Sequence, residues 1–77
     1  MSQDVSPGAE SIVVGGLYKH YKGHRYKILG LARHSETLEE LVIYQAEYGE
    51  KLIWVRPLGM FLEDMPEHGQ PRFKFIQ

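Results

Sequence analysis

From Leu17 to Arg33, aromatic and aliphatic residues alternate with basic ones, and the alternation breaks at Lys22-Gly23-His24. A period of two sends successive side chains to opposite faces of an extended chain, so this stretch reads as two strands joined by a hairpin turn. In the second strand Tyr26, Ile28, Gly30 and Ala32 share one face, while Arg25, Lys27 and Arg33 take the other beside Leu29 and Leu31. A glycine in mid-strand marks a bulge or bend, the device by which a small sheet curls.

The same period returns further along. Leu41 to Tyr48 places Val42, Tyr44, Ala46 and Tyr48 on one face, Gly49-Glu50-Lys51 turns the chain, and Leu52 to Arg56 forms a strand that Pro57 stops. Between the second and third strands, Thr37-Leu38-Glu39-Glu40 matches a capping box and predicts a helical turn or tight loop. Leu58 to Leu62 fits a short helical turn, with Met60 and Phe61 expected to plug the core. After the polar loop Pro66 to Pro71, Arg72 to Ile76 alternates once more. The expected architecture is mainly β: a small closed barrel of about five short strands with one or two helical turns, closure being one way to remove exposed edges. Residues 1–14 are expected to form a mobile leader and residues 15–77 the single folded domain.

With 77 residues and no cysteine, the chain has room for one domain and no disulfide or thiolate zinc site to brace it. A domain of this size buries only about 60% of the surface its unfolded chain exposes, so apolar packing has to do the work. The longest apolar runs span a few residues, far from the ~20 that cross a bilayer, and residues 1–11 lack the basic start and apolar stretch of a secretory signal. A cytoplasmic protein without membrane contact is the expectation.

Formal net charge is −1, but charge is segregated: residues 11–35 hold five basic residues and no acid, and residues 36–50 hold five glutamates and no base. Opposite charges on adjacent antiparallel strands, attracting across the ladder, are the simplest account of such blocks.

The run Ala32-Arg33-His34-Ser35-Glu36-Thr37-Leu38-Glu39-Glu40-Leu41-Val42-Ile43-Tyr44, followed by Trp54-Val55-Arg56-Pro57-Leu58 and Met60-Phe61-Leu62, resembles the bacterial family named domain of unknown function 1653. The resemblance runs from about Gly16, through Tyr18-Lys19-His20, to Phe73-Lys74-Phe75-Ile76. It implies an SH3-like barrel and brings no catalytic residues and no cofactor.

Function must therefore be sought in the residues' own chemistry. The strand-end cluster Arg33-His34-Ser35-Glu36, with Tyr44, Trp54 and Arg56, is the candidate binding face. Consecutive residues on an extended chain point alternately and do not converge as a triad must, so no catalytic set is assigned. His20, His24, His34 and His68 show no helical metal-ligand spacing, and no metal site is assigned. Tyr18, Tyr21, Tyr26, Tyr44, Tyr48 and Trp54 are the material of a stacking platform, although a small core also needs most such rings for packing. The leading expectation is a non-catalytic binding or interaction module, monomeric or weakly self-associating. Its partner is a protein or peptide first, with nucleic acid or a small anion next. The alternatives are a small hydrolase or lyase using His34 with Glu36 or Glu39 as acid and base, and a structural homo-oligomer subunit.

Overall fold

Gly23 adopts φ +111°, a backbone conformation closed to most side chains, and its N–H donates to the His20 carbonyl across 2.7 Å. That turn joins β1 (Leu17–His20) to β2 (Arg25–Arg33), as the alternation predicts. The computed structural model describes residues 6–77. Its further strands are β3 (Glu40–Ala46), β4 (Ile53–Pro57), β5 (Asp64–Met65), β6 (Gln70–Pro71) and β7 (Phe73–Phe75). Short helices α1 (Pro7–Glu10) and α2 (Leu58–Phe61) and a 3-10 turn at Pro66–His68 complete the described chain. Neither helix is long and apolar enough to cross a membrane.

Five strands form one antiparallel sheet in the order β4-β3-β2-β1-β7, and β5 pairs with β6 in a two-stranded ribbon. The chain is mainly β, but the expected closed barrel does not form. The edge strands β4 and β7 share no ladder. They meet through side chains instead, with the Arg56 guanidinium 5.8 Å from the centre of the Phe73 ring. A side-chain contact thus stands where a closed barrel would have a ladder, and the sheet keeps an open seam between its edges.

The inner face holds the core. Ile28, Val42 and Phe61 are fully buried, ringed by Tyr18, Tyr44, Leu58 and Phe73. Phe61 and Phe73 stack at 4.2 Å with their planes 5° apart, and both Tyr18 and Tyr44 meet Phe61 edge-on. Each such side chain contributes about 1.5–3 kcal/mol by leaving water. The expected plug at α2 is thus Phe61 alone, because Met60, next to it on the chain, points outward and stays half-exposed. The Tyr18 hydroxyl accepts from the Val13 N–H at 3.0 Å, which satisfies a polar group that burial would otherwise penalise.

The N-terminal segment joins this packing. Met1 to Val5 lie outside the described residues, but Ala9 and Ile12, within the stretch expected to be a mobile leader, are buried in the core. Ser6 caps α1, its hydroxyl accepting from the Ala9 N–H at 3.1 Å, and its own N–H donates to Glu40 at 3.1 Å. Hydrogen bonds from the Ser6 hydroxyl and backbone hold the Glu40 carboxyl below its ordinary range. The capping box expected at Thr37 is therefore not made. Glu40 turns to Ser6, while the Thr37 hydroxyl accepts from the nearer Glu39 N–H at 3.2 Å.

The bulge read from Gly30 is present, since the β2–β3 register shifts between Ile28 and Gly30. The charge blocks do not pair as expected. Arg33 opposite Glu40 is the one strand pairing of unlike charges among the described residues. Lys19 lies directly opposite Arg25 on one side and Lys74 on the other, because β1 pairs with β7 as well as with β2.

Candidate functional site

Alternation along each strand sends Tyr26, Tyr44, Trp54, Arg56 and Phe73 to the inner side of the seam, where the edges fail to close. With His20 and Tyr48 they enclose a concavity of about 180 Å³. Pockets that bury drug-sized ligands measure roughly 300–1,000 Å³, so this one suits a single ring or head group.

Its charged member is held in place. The Arg56 Nε donates to the Tyr44 hydroxyl at 3.1 Å, and the guanidinium lies over Phe73. Arg56 forms no ion pair with a described residue, and no carboxylate lines the concavity. A planar fork in this position can grip a carboxylate or phosphate through two parallel bonds.

The aromatic wall is also fixed. The hydroxyls of Tyr26 and Tyr48 are 2.9 Å apart, and burial together with that bond pushes the Tyr26 phenol well above its ordinary range, so it stays neutral. His24 stacks on Tyr48 at 4.0 Å, extending the wall to the β1–β2 turn. Trp54 is 49% exposed at the mouth, within reach of a ligand.

His20 sits between Phe73, Tyr21 and Tyr26, with ring centres 4.5–6.4 Å away. Desolvation, then the positive charges of Arg56, Arg72, Lys22 and His24, lower its pKa below 6.5. The causes of that shift describe the neighbourhood: every charge felt by His20 is positive.

The seven residues singled out in the sequence fall into two groups. Tyr44, Trp54 and Arg56 come together in the concavity. Arg33, His34, Ser35 and Glu36 lie at the far end of the β2–β3 pair, and Arg33 is seven residues along β2 from Tyr26. At ~3.3 Å per residue that is about 23 Å. There the His34 Nδ1 accepts from the N–H groups of Glu36 at 3.1 Å and Thr37 at 3.3 Å, so the ring caps its own exposed turn. Neither the Glu36 nor the Glu39 carboxylate bonds to the ring, and no acid–base pair is assembled at that turn. Among the described residues no three His, Asp or Glu side chains group as metal ligands would.

His20, Tyr26, Tyr48 and Phe73 complete the concavity, beyond the residues that the sequence singles out as a binding face. Tyr26 and Tyr48 were legible as stacking material. His20 could have been found from its alternation with Lys19, but Phe73 enters only through the β1–β7 pairing.

No curated protein matches the chain. A family model described as "Protein of unknown function (DUF1653)" matches residues 16–75. The crystal structure of a member of that family from Bordetella bronchiseptica is similar, with a TM-score of 0.78 and 35% identity, over 88% of this chain and 91% of that one. The fold, the matched residues and this neighbour agree: the chain belongs to the DUF1653 family.

Proposed function

We propose that this domain is a binding module that holds a flat anionic group, its ring against Trp54 and Tyr48 and its charge on Arg56. The observation that carries this reading is the Arg56 fork, oriented by Tyr44 within an aromatic concavity that no acid lines. Rings supply stacking for a planar group, and a partly desolvated guanidinium supplies a charge-assisted bond stronger than a neutral one. A cytoplasmic setting belongs to the same reading.

The chain has a single tryptophan, Trp54, so its fluorescence reports on this site alone. Uridine 5′-monophosphate and benzoate serve as planar anions, and a short peptide with a free C-terminus tests the protein-ligand version. The expected result is quenching of Trp54 at about millimolar concentration, some 4 kcal/mol of binding, by one or more of these probes. Amide shifts should accompany it at Tyr44, Trp54 and Arg56. If none of the probes perturbs Trp54, the reading is wrong.

A second reading, self-association, draws on the open edge of β4, where Ile53, Trp54 and Val55 are all exposed. Sedimentation over a concentration series tests it, and a monomer throughout would remove it.

A further inference from the structure

The concavity in the seam is not isolated. A second hollow of about 280 Å³ lies against the β1–β2 turn, lined by Lys19, Lys22, Lys74 and Gln70 among others, and His20 belongs to both. No acid lines either hollow. His20 is the residue they share, at the end of β1: the aromatic hollow lies on the inner face, and Lys19 and Lys74 of the second alternate to the outer face.

The lysine half is built at a cost to the sheet. Lys74, Lys19 and Arg25 stand in a row across β7, β1 and β2 as direct cross-strand partners, and like charges so placed repel. None of the three has an ion pair with a described residue. The Glu47 N–H bonds to the Arg25 carbonyl, which makes Glu47 the next residue in line, yet its carboxylate does not bridge to Arg25. Ordinary solvated lysines need no such alignment, and a threonine at position 19 would suit a strand better. A row of like charges that the fold does not neutralise is suited to an anion from outside.

We infer that the two hollows form one groove for single-stranded nucleic acid, in which a base stacks in the aromatic half while the adjoining phosphates run along Lys22, Lys19 and Lys74. The inference rests on the proposed function and names its ligand. Flat rings joined by a regularly charged backbone are the polymer whose parts match both halves in order. An acidic peptide would use the lysines and leave the rings idle. A duplex would reach the lysines, but its stacked bases could not enter a hollow of 180 Å³ inside the seam.

The test compares an eight-residue oligouridylate with uridine 5′-monophosphate by Trp54 fluorescence, on the full chain, between 50 and 200 mM salt. Simple counting of equivalent bases raises affinity about eightfold, so the oligomer is expected to bind roughly thirtyfold or more tightly. Three phosphate contacts predict a slope of log K against log salt of about −2, a loss of roughly 20-fold over that range. Lys19→Thr and Lys74→Thr should each flatten the slope by about 0.7, with thermal midpoints no lower than that of the parent. If the oligomer gains no more than counting allows, if the slope survives both substitutions, or if poly-glutamate or a duplex of equal charge competes equally, the inference fails. Retained binding of the mononucleotide would then leave the proposed function standing, whereas loss of both would fell both.

Discussion

The Nε of Arg56 donates to the hydroxyl of Tyr44 across 3.1 Å, and this bond between neighbouring strands aims the guanidinium across the seam at Phe73. Lysine at position 56 would keep the charge and lose both the fork and the Nε donor. Arg56→Lys should weaken anion binding about tenfold or more, an expectation tied to charge-assisted bonds of roughly 1.5–3 kcal/mol. Tyr44→Phe keeps the ring and removes the acceptor, and should cost about 1 kcal/mol of stability with a smaller loss of affinity. Glu36→Ala, at the distant turn, serves as the control. Trp54 titrations and urea unfolding measure all three, and an Arg56→Lys protein that binds as tightly as the parent would contradict the site.

Phe61 is the ring on which three others rest, Tyr18, Tyr44 and Phe73. Truncating a buried phenylalanine to alanine typically costs about 3–5 kcal/mol. A chain of this size has roughly 4–12 kcal/mol in total, so Phe61→Ala should show a much lower thermal midpoint or no cooperative transition. Phe61→Leu keeps most of the volume and should fold. Calorimetry distinguishes them; equal midpoints would mean that the core is organised elsewhere.

His20 gives the fold and the ligand opposite pH dependences. Its folded pKa lies below the unfolded 6.5, because burial and the charges of Arg56, Arg72, Lys22 and His24 disfavour the imidazolium. The unfolded chain therefore takes up the proton first: stability is full above about pH 6.5 and declines as the pH falls through that value. Glu40, also lowered, adds a loss in the same direction at more acidic pH, below its ordinary 4.5. A bound anion would favour the imidazolium, so affinity should rise between pH 7.5 and 5.5 while stability falls. Unfolding and Trp54 titrations across that range check both signs, and His20→Phe should flatten both in the His20 window.

Leu38 is strained. Its φ is +65°, which costs a non-glycine residue roughly 1–2 kcal/mol, and its side chain is exposed, so little packing offsets the strain. The Leu38 N–H and carbonyl are both engaged, with the His34 carbonyl and with Arg33 Nη1, so the turn dictates the conformation. Leu38→Gly should therefore raise stability by up to about 1 kcal/mol in urea unfolding, and a clear loss would show that the leucine side chain matters.

Local signals were legible in the sequence because they act over a few residues. Alternation located β1 to β4 and β7 within a residue or two, Gly30 announced the bulge, and Pro57 marked the passage from β4 to α2. What was illegible depends on the pairing of β1 with β7, whose residues lie more than fifty positions apart. That pairing puts Lys74 beside Lys19 and Phe73 beside His20, and it leaves β4 at the opposite edge. Charge blocks read along the chain suggested attraction between neighbours, but registers, not blocks, decide which charges face each other. The same gap explains the site: Tyr44, Trp54 and Arg56 could be named from neighbouring strands, while the distant turn at Arg33 to Glu36 was grouped with them on chemistry alone.

The pair of Arg72 with Glu63 at 2.8 Å is an attraction that electrolyte weakens, whereas the Lys74–Lys19–Arg25 row gives it repulsion to relieve. With a Debye length of about 10 Å at 0.1 M, screening acts on both, but the row has more to gain. The free domain is thus built to tolerate brine better than dilute buffer, and concentrated salt used in purification would protect its fold while clearing anions from its groove.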